Sequence, residues 1–168
     1  MEKVRANLDA LERKLTKANK IAAKGEKMKV GDAIKLGRKS SSMAATINKG
    51  MREYDDTDPT PQESQEMLAQ MTRIVELTEE QVNSLIGCSG YLKDKLHVGG
   101  LVKRDLVKTA EASEALSHLM VSKAPPELKQ EGQALAKRRN MAFDKALAVY
   151  GNATGGDELD DKTADDSD

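Results

Sequence analysis

Few side chains in this chain could do chemistry, and their spacing decides how far each could go. The one thiol is Cys88, and the only imidazoles are His97 and His118. Nucleophilic catalysis needs a base within hydrogen-bond reach of the nucleophile. Cys88 instead falls on an apolar stripe between Leu85 and Leu92, the setting of a small, inert core residue. His97 reads as a turn residue and His118 as a helix-surface one, and two histidines without ligand spacing make no metal site. The adjacent carboxylates of Glu79 and Glu80 diverge around a helix. No catalytic residue, cofactor or metal is expected, and the chain reads as a non-enzyme.

The stretch GDAIKLGRKS, residues 31–40, places glycine, lysine and serine together as a phosphate cradle would. The nucleotide motif needs G-x-x-x-x-G-K-[ST] after a strand. Here five residues separate Gly31 from Gly37, Arg38 intrudes before Lys39 and Ser40, and no strand precedes them. Two structural readings fit better. Gly37, Ser41 and Ala45 recur at steps of four, giving a helix one strip of small side chains that a neighbouring backbone could approach closely. Alternatively, one serine caps a fresh helix near 42. A third reading is phosphorylation of Ser41, three residues after Arg38, which would remove about two charges from a basic region.

Net charge is −1, but it is segregated along the chain. Residues 1–52 hold 14 Lys/Arg against 5 Asp/Glu, and residues 53–90 hold 1 against 9. Residues 91–151 hold 11 against 7, and residues 152–168 hold 1 against 7. The basic segment offers a candidate polyanion contact through Lys14, Lys17, Lys20 and Lys24, continued by Lys27, Lys35, Arg38 and Lys39. Residues 1–53 contain no aromatic side chain to stack on bases or anchor in a membrane, so such a contact would be blind to sequence. The competing reading is internal: the basic segment faces the acidic one across the fold.

The elements that must position these residues are helices. Val4, Leu8, Leu11, Leu15, Ala18 and Ala22 recur at alternating steps of four and three, a coiled-coil seam that stops near Gly25. A second helix is expected over about 30–54, with Val30, Ile34, Leu36, Met43 and Ile47 on its apolar face. DDTDPTPQES breaks the pattern, and Pro61 is placed to open a third helix over about 62–96. That helix is read as continuous despite Gly87 and Gly90. Its Val75–Val82 row favours an outward-facing Gln81 over a polar residue set inside the seam. Helices over about 101–123 and 126–150 follow, separated by Pro125-Pro126.

The expected fold is all-α: an antiparallel bundle of four to five long amphipathic helices with a disordered acidic C-terminal tail. Its domain spans 1–151, as a basic helical hairpin over 1–54, a linker over 55–61 and helices over 62–150, with the tail at 152–168. The core would be unusual. There is no Trp, only Tyr54, Tyr91, Phe143 and Tyr150 are aromatic, and Met numbers 8. Ligand pockets usually carry aromatic linings, so no small-molecule substrate is expected. No apolar run reaches the roughly 18–20 residues that span a bilayer. One cysteine excludes an internal disulfide, and the start MEKVRANLDALERK is too charged for a secretory signal, so an intracellular, cytoplasmic location is expected.

Two functions follow from these readings. The first is a non-catalytic assembly or adaptor protein, a scaffold that binds protein partners or oligomerises by docking helices along the seam Val4, Leu8, Leu11 and Leu15. The second is a sequence-independent polyanion binder, for nucleic-acid packaging or an acidic membrane surface, acting through the basic N-terminal helices. Far-UV circular dichroism of the purified protein should show about 125 helical residues, far above the usual third for globular proteins. A distinct strand signal would contradict the architecture.

Overall fold

A computed structural model describes residues 1–54 and 58–159. Five long helices account for most of it: α1 (Glu2–Ala22), α2 (Val30–Glu53), α3 (Pro61–Gly87), α4 (Gly99–Lys123) and α5 (Pro126–Tyr150). No strand occurs among the described residues, and the expected all-α class holds. The main packing runs α1 to α2, α2 to α4, α4 to α5, α5 to α3 and α3 to α1. That order closes a ring in which each helix has two flanking neighbours and turns its apolar face to a shared interior.

The seam of α1 is what the ring closes on. Val4, Leu8, Leu11 and Leu15 are at most 5% exposed, and Ala18 and Ala22 are fully covered. Beyond the helix, Gly25 turns the chain with φ +54, a conformation that costs glycine little. The Asp32 carboxylate accepts from Lys24 Nζ at 2.7 Å and from the Lys29 N–H at 3.0 Å. Those two bonds, Lys24 first, hold its pKa below the usual carboxylate range. Val30, expected on the apolar face, is exposed where α2 begins.

Pro61 opens α3 as expected. Thr60 caps it: the Glu63 N–H donates to Thr60 Oγ1 at 3.2 Å, and the Thr60 N–H donates back to Glu63 Oε2 at 2.9 Å. The far end differs from the sequence reading. α3 stops at Gly87, and the chain makes a wide π-type turn over Tyr91–Lys95 before α4. Glycines at 87 and 90 weaken the helix there, and the extra residue in a wide turn changes the phase by about 100°. Leu92 stays buried at 1% exposure, and the Tyr91 hydroxyl reaches the Met28 carbonyl at 3.0 Å. Gln81 is also corrected: it is buried beside Val82 and faces the interior rather than solvent.

The bundle's closing contact comes from residues expected to belong to the tail. Gly155 and Gly156 have φ +89 and +84, and the Gly155 carbonyl accepts the Leu101 N–H at 3.0 Å. That bond satisfies one of the free donors in the first turn of α4. A Cβ on Gly155 would lie 2.5 Å from the His97 carbonyl oxygen, so only glycine fits. Residues 152–159 therefore pack on the bundle, and the rest of the expected tail lies outside the described residues.

Because the α1 seam is enclosed by this chain's own helices, Leu11→Ala or Leu15→Ala should destabilise the protein by about 2–5 kcal/mol in urea unfolding. Thr60→Ala should cost about 1 kcal/mol through loss of the cap.

A methionine-lined cleft as the candidate functional site

The first half of α3, the second half of α4 and the first half of α5 do not meet along their full length. Between them lies an apolar cleft with a free volume, counted out to its open mouth, of about 540 Å³. Met67, Met71 and Val75 line it from α3, Met120 and Val121 from α4, and Leu135 from α5. On α3 the lining runs from Ser64 to Val75, about 16 Å at 1.5 Å rise per residue. Small residues keep the wall open: Gly132 and Ala136 sit where larger side chains would fill the space. A Cβ at Gly132 would already stand 3.2 Å from Val121 Cγ2.

Methionine suits such a lining. Its unbranched thioether has three rotatable bonds and repacks around irregular apolar shapes. Met67 is 1% exposed while Met71 and Met120 are half-buried, so the lining ranges from packed floor to accessible rim. Tyr54 closes one end, its hydroxyl directed at Met67 Sδ at 3.6 Å, and burial pushes its pKa up to about 12. Two polar groups interrupt the apolar wall. Ser64 Oγ is buried and has no hydrogen-bond partner among the described residues. Ser117 Oγ accepts from Arg139. A second, smaller space of about 400 Å³ lies further along α3, bordered by Leu36, Gln81, Leu85 and Phe143.

The residues singled out in the sequence lie elsewhere. Val4, Leu8, Leu11 and Leu15 are spent on the intramolecular core. Lys14 donates to Ser42 Oγ at 2.8 Å and Thr46 Oγ1 at 2.6 Å, tying α1 to α2. Lys24 pairs with Asp32, while Lys17, Lys20, Lys27, Lys35 and Arg38 are exposed and Lys39 is half-buried. The three serines face three ways. Ser40 is buried, Ser41 accepts from Lys108 Nζ at 3.1 Å, and Ser42 takes Lys14. Gly37 lies against Asp105, where a Cβ would stand 2.8 Å from its Oδ2, so the small-residue strip serves the α2–α4 approach at its first two positions. Ala45 is exposed.

Charge segregation is partly resolved within the fold. Arg5 of α1 pairs with Glu66 of α3, Arg73 reaches Glu12 at 3.4 Å, and Arg138 of α5 grips Glu79 at 2.7 and 3.1 Å. Cys88 is buried, and burial raises its thiol pKa, as for an unreactive core residue. Among the described residues no helix is long and apolar enough to cross a membrane.

A closed ring of five amphipathic helices with an apolar, methionine-lined cleft defines a class of all-helical bundle proteins. The chain belongs to the HsbA family, hydrophobic surface binding protein A, whose sequence profile matches residues 1–122. No curated protein sequence matches it. Several solved structures share the fold, three of them as follows. AFMP4P, in complex with palmitic acid, aligns with a TM-score of 0.81 at 15% identity over 88% of this chain and 97% of its own. Ligand binding domain 1 of the Penicillium marneffei MP1 protein, complexed with arachidonic acids, aligns at 0.78 and 23% identity over 87% and 95%. Domain 2 of the same protein, complexed with multiple arachidonic acids, aligns at 0.75 and 19% identity over 88% and 96%.

These findings correct the functions expected from the sequence. The family description and the fatty acids in the similar structures overturn both the adaptor that docks or oligomerises through helix faces and the polyanion binder. The scaffold and protein-binding readings go with them, as does the expectation of no small-molecule ligand. The physical reason is that the α1 seam is already covered by α2 and α3, while the unfilled apolar surface lies inside the ring. Sequence reasoning missed the cleft because it looked for aromatics. The signal was present in Met67, Met71 and Met120, with Gly132 and Ala136 opposite on α5.

Proposed function

We propose that this protein is a non-catalytic binder of single-chain lipids, taking the hydrocarbon tail of a fatty acid or similar amphiphile into the cleft between α3, α4 and α5. The observation that carries this reading is the cleft: a concave, apolar, methionine-lined space between three helices, the setting in which ligand pockets usually occur. Its length on α3, about 16 Å, accommodates much of an extended acyl chain. Burial of hydrocarbon supplies the affinity, roughly 0.8 kcal/mol per methylene removed from water. The methionines adapt the lining to chains of different shape. Membership of the HsbA family and the fatty acids in structures of the same fold support the same ligand class.

Titration of palmitate into the purified protein should show saturable binding. Met71→Trp, which fills the half-buried rim of the cleft, should weaken it at least about tenfold, or about 1.4 kcal/mol. The variant's melting temperature should stay near that of the parent. An unaltered affinity in Met71→Trp would place the tail elsewhere.

A further inference from the structure

Among the described residues, the lining of the methionine cleft includes no charged side chain. Its polar side chains are three hydroxyls, those of Tyr54, Ser64 and Ser117. Ser117 Oγ is already engaged. It accepts from Arg139, which lies in the outer groove between α4 and α5 and does not line the cleft.

The other two hydroxyls are under-used. On α3, Thr72, Thr78 and Ser84 each donate to the carbonyl four residues earlier, at 2.9, 2.8 and 3.0 Å. That is the ordinary way a helix satisfies a hydroxyl. Ser64 on the same helix does not: it is 6% exposed, and its Oγ has no hydrogen-bond partner among the described residues. Such orphaned buried polar atoms are rare and costly. The Tyr54 hydroxyl is served little better. It faces Met67 Sδ at 3.6 Å, and a thioether is a weak acceptor. Ser64 and Met67 are three residues apart and share one face of α3. Both hydroxyls therefore gather around Met67, at the Tyr54 end of the cleft.

The charges beside this end are paired with one another. Lys123, next to the lining residue Ala124, is held by Asp58 at 3.0 Å, and Glu66 pairs with Arg5. Glu63 is taken up by the Thr60 cap. A carboxylate drawn to this end loses its water and gains no counter-ion, which costs far more than burying a neutral head. An uncharged oxygen loses less and meets two donors.

We propose that Ser64 and Tyr54 form a subsite for the uncharged head of a single-chain amphiphile, the hydroxyl of a long-chain alcohol or the carbonyl of a long-chain ester. The head oxygen accepts from both hydroxyls, and the tail runs along α3 toward Val75. A fatty acid enters the same cleft by its tail and leaves its carboxylate in water. This rests on the lipid-binding reading above and divides its ligands in two: neutral amphiphiles held by head and tail, anionic ones by the tail alone.

The test titrates hexadecanol, methyl palmitate and palmitate against the full chain at neutral pH by displacement of a neutral apolar dye. Each ligand's affinity in a variant is compared with its own affinity in the parent, so differences in solubility cancel. Ser64→Ala should weaken hexadecanol and methyl palmitate by about 2- to 10-fold, the worth of a neutral hydrogen bond, and leave palmitate unchanged. Tyr54→Phe, which keeps the ring, should show the same split. The melting temperature of Ser64→Ala should equal or exceed the parent's, because the hydroxyl it removes is unpartnered. A clear drop would mean that the hydroxyl is already bonded in the free protein and would overturn the subsite. An equal loss for all three ligands, a loss greatest for palmitate, or no loss for any would also overturn it, while saturable palmitate binding leaves the lipid-binding reading intact. Failure of all three ligands to displace the dye would overturn both. Should Ser64→Ala not fold, Tyr54→Phe decides: the split supports the subsite, and a uniform effect removes it.

Discussion

The burial of the α1 leucine seam between α2 and α3 is the constraint on which the rest of this structure depends. The two helices that flank α1 each pack against one other element as well, α2 against α4 and α3 against α5. Without the seam the ring would open between α2 and α3, and the interior would be a groove exposed to water. With it, five amphipathic helices share one core. The last closure is made by Gly155, whose carbonyl takes a donor at the start of α4. Its left-handed backbone admits no side chain there.

A ring of five helices encloses more space than helix–helix contact alone can fill. Large aromatic side chains would close it, and this chain has few. Phe143 and Tyr150 are both buried in α5, with the Tyr150 hydroxyl fixed on the Leu85 carbonyl at 2.6 Å. They fill the end of the ring near the π-type turn. At the other end the lining passes to Met67, Met71 and Met120, with Gly132 and Ala136 opposite, and the cleft stays open. The same scarcity of aromatics that argued from the sequence against a ligand pocket thus leaves the room for one. Flexible thioethers replace rigid rings as the lining.

Polar chemistry is placed with the same economy. Charges that look segregated in the sequence meet across the helices at Arg5–Glu66 and Arg138–Glu79. These are surface pairs and contribute little to stability. Arg139 is the exception, because it is buried and its acceptors carry no charge. Its bonds to the Ser113 carbonyl and to Ser117 Oγ tie α5 to α4.

The sequence by itself determined the helices. The four-three spacing of Val4, Leu8, Leu11 and Leu15 marks a buried face whatever covers it, and Pro61 and Pro126 mark helix starts because proline suits a first turn and no later one. Those are local properties, set by backbone sterics and periodicity. The tertiary structure decided what covers the seam, and so turned an expected docking surface into an internal core. It also decided that α3 ends at Gly87, where two glycines weaken the helix and a π-type turn follows. Above all it decided where side chains are missing. A cleft is a shortage of volume among residues far apart in sequence, here Ser64, Met120 and Gly132. Periodicity reports which face of a helix is apolar, but how much space the opposing faces leave depends on how the ring closes.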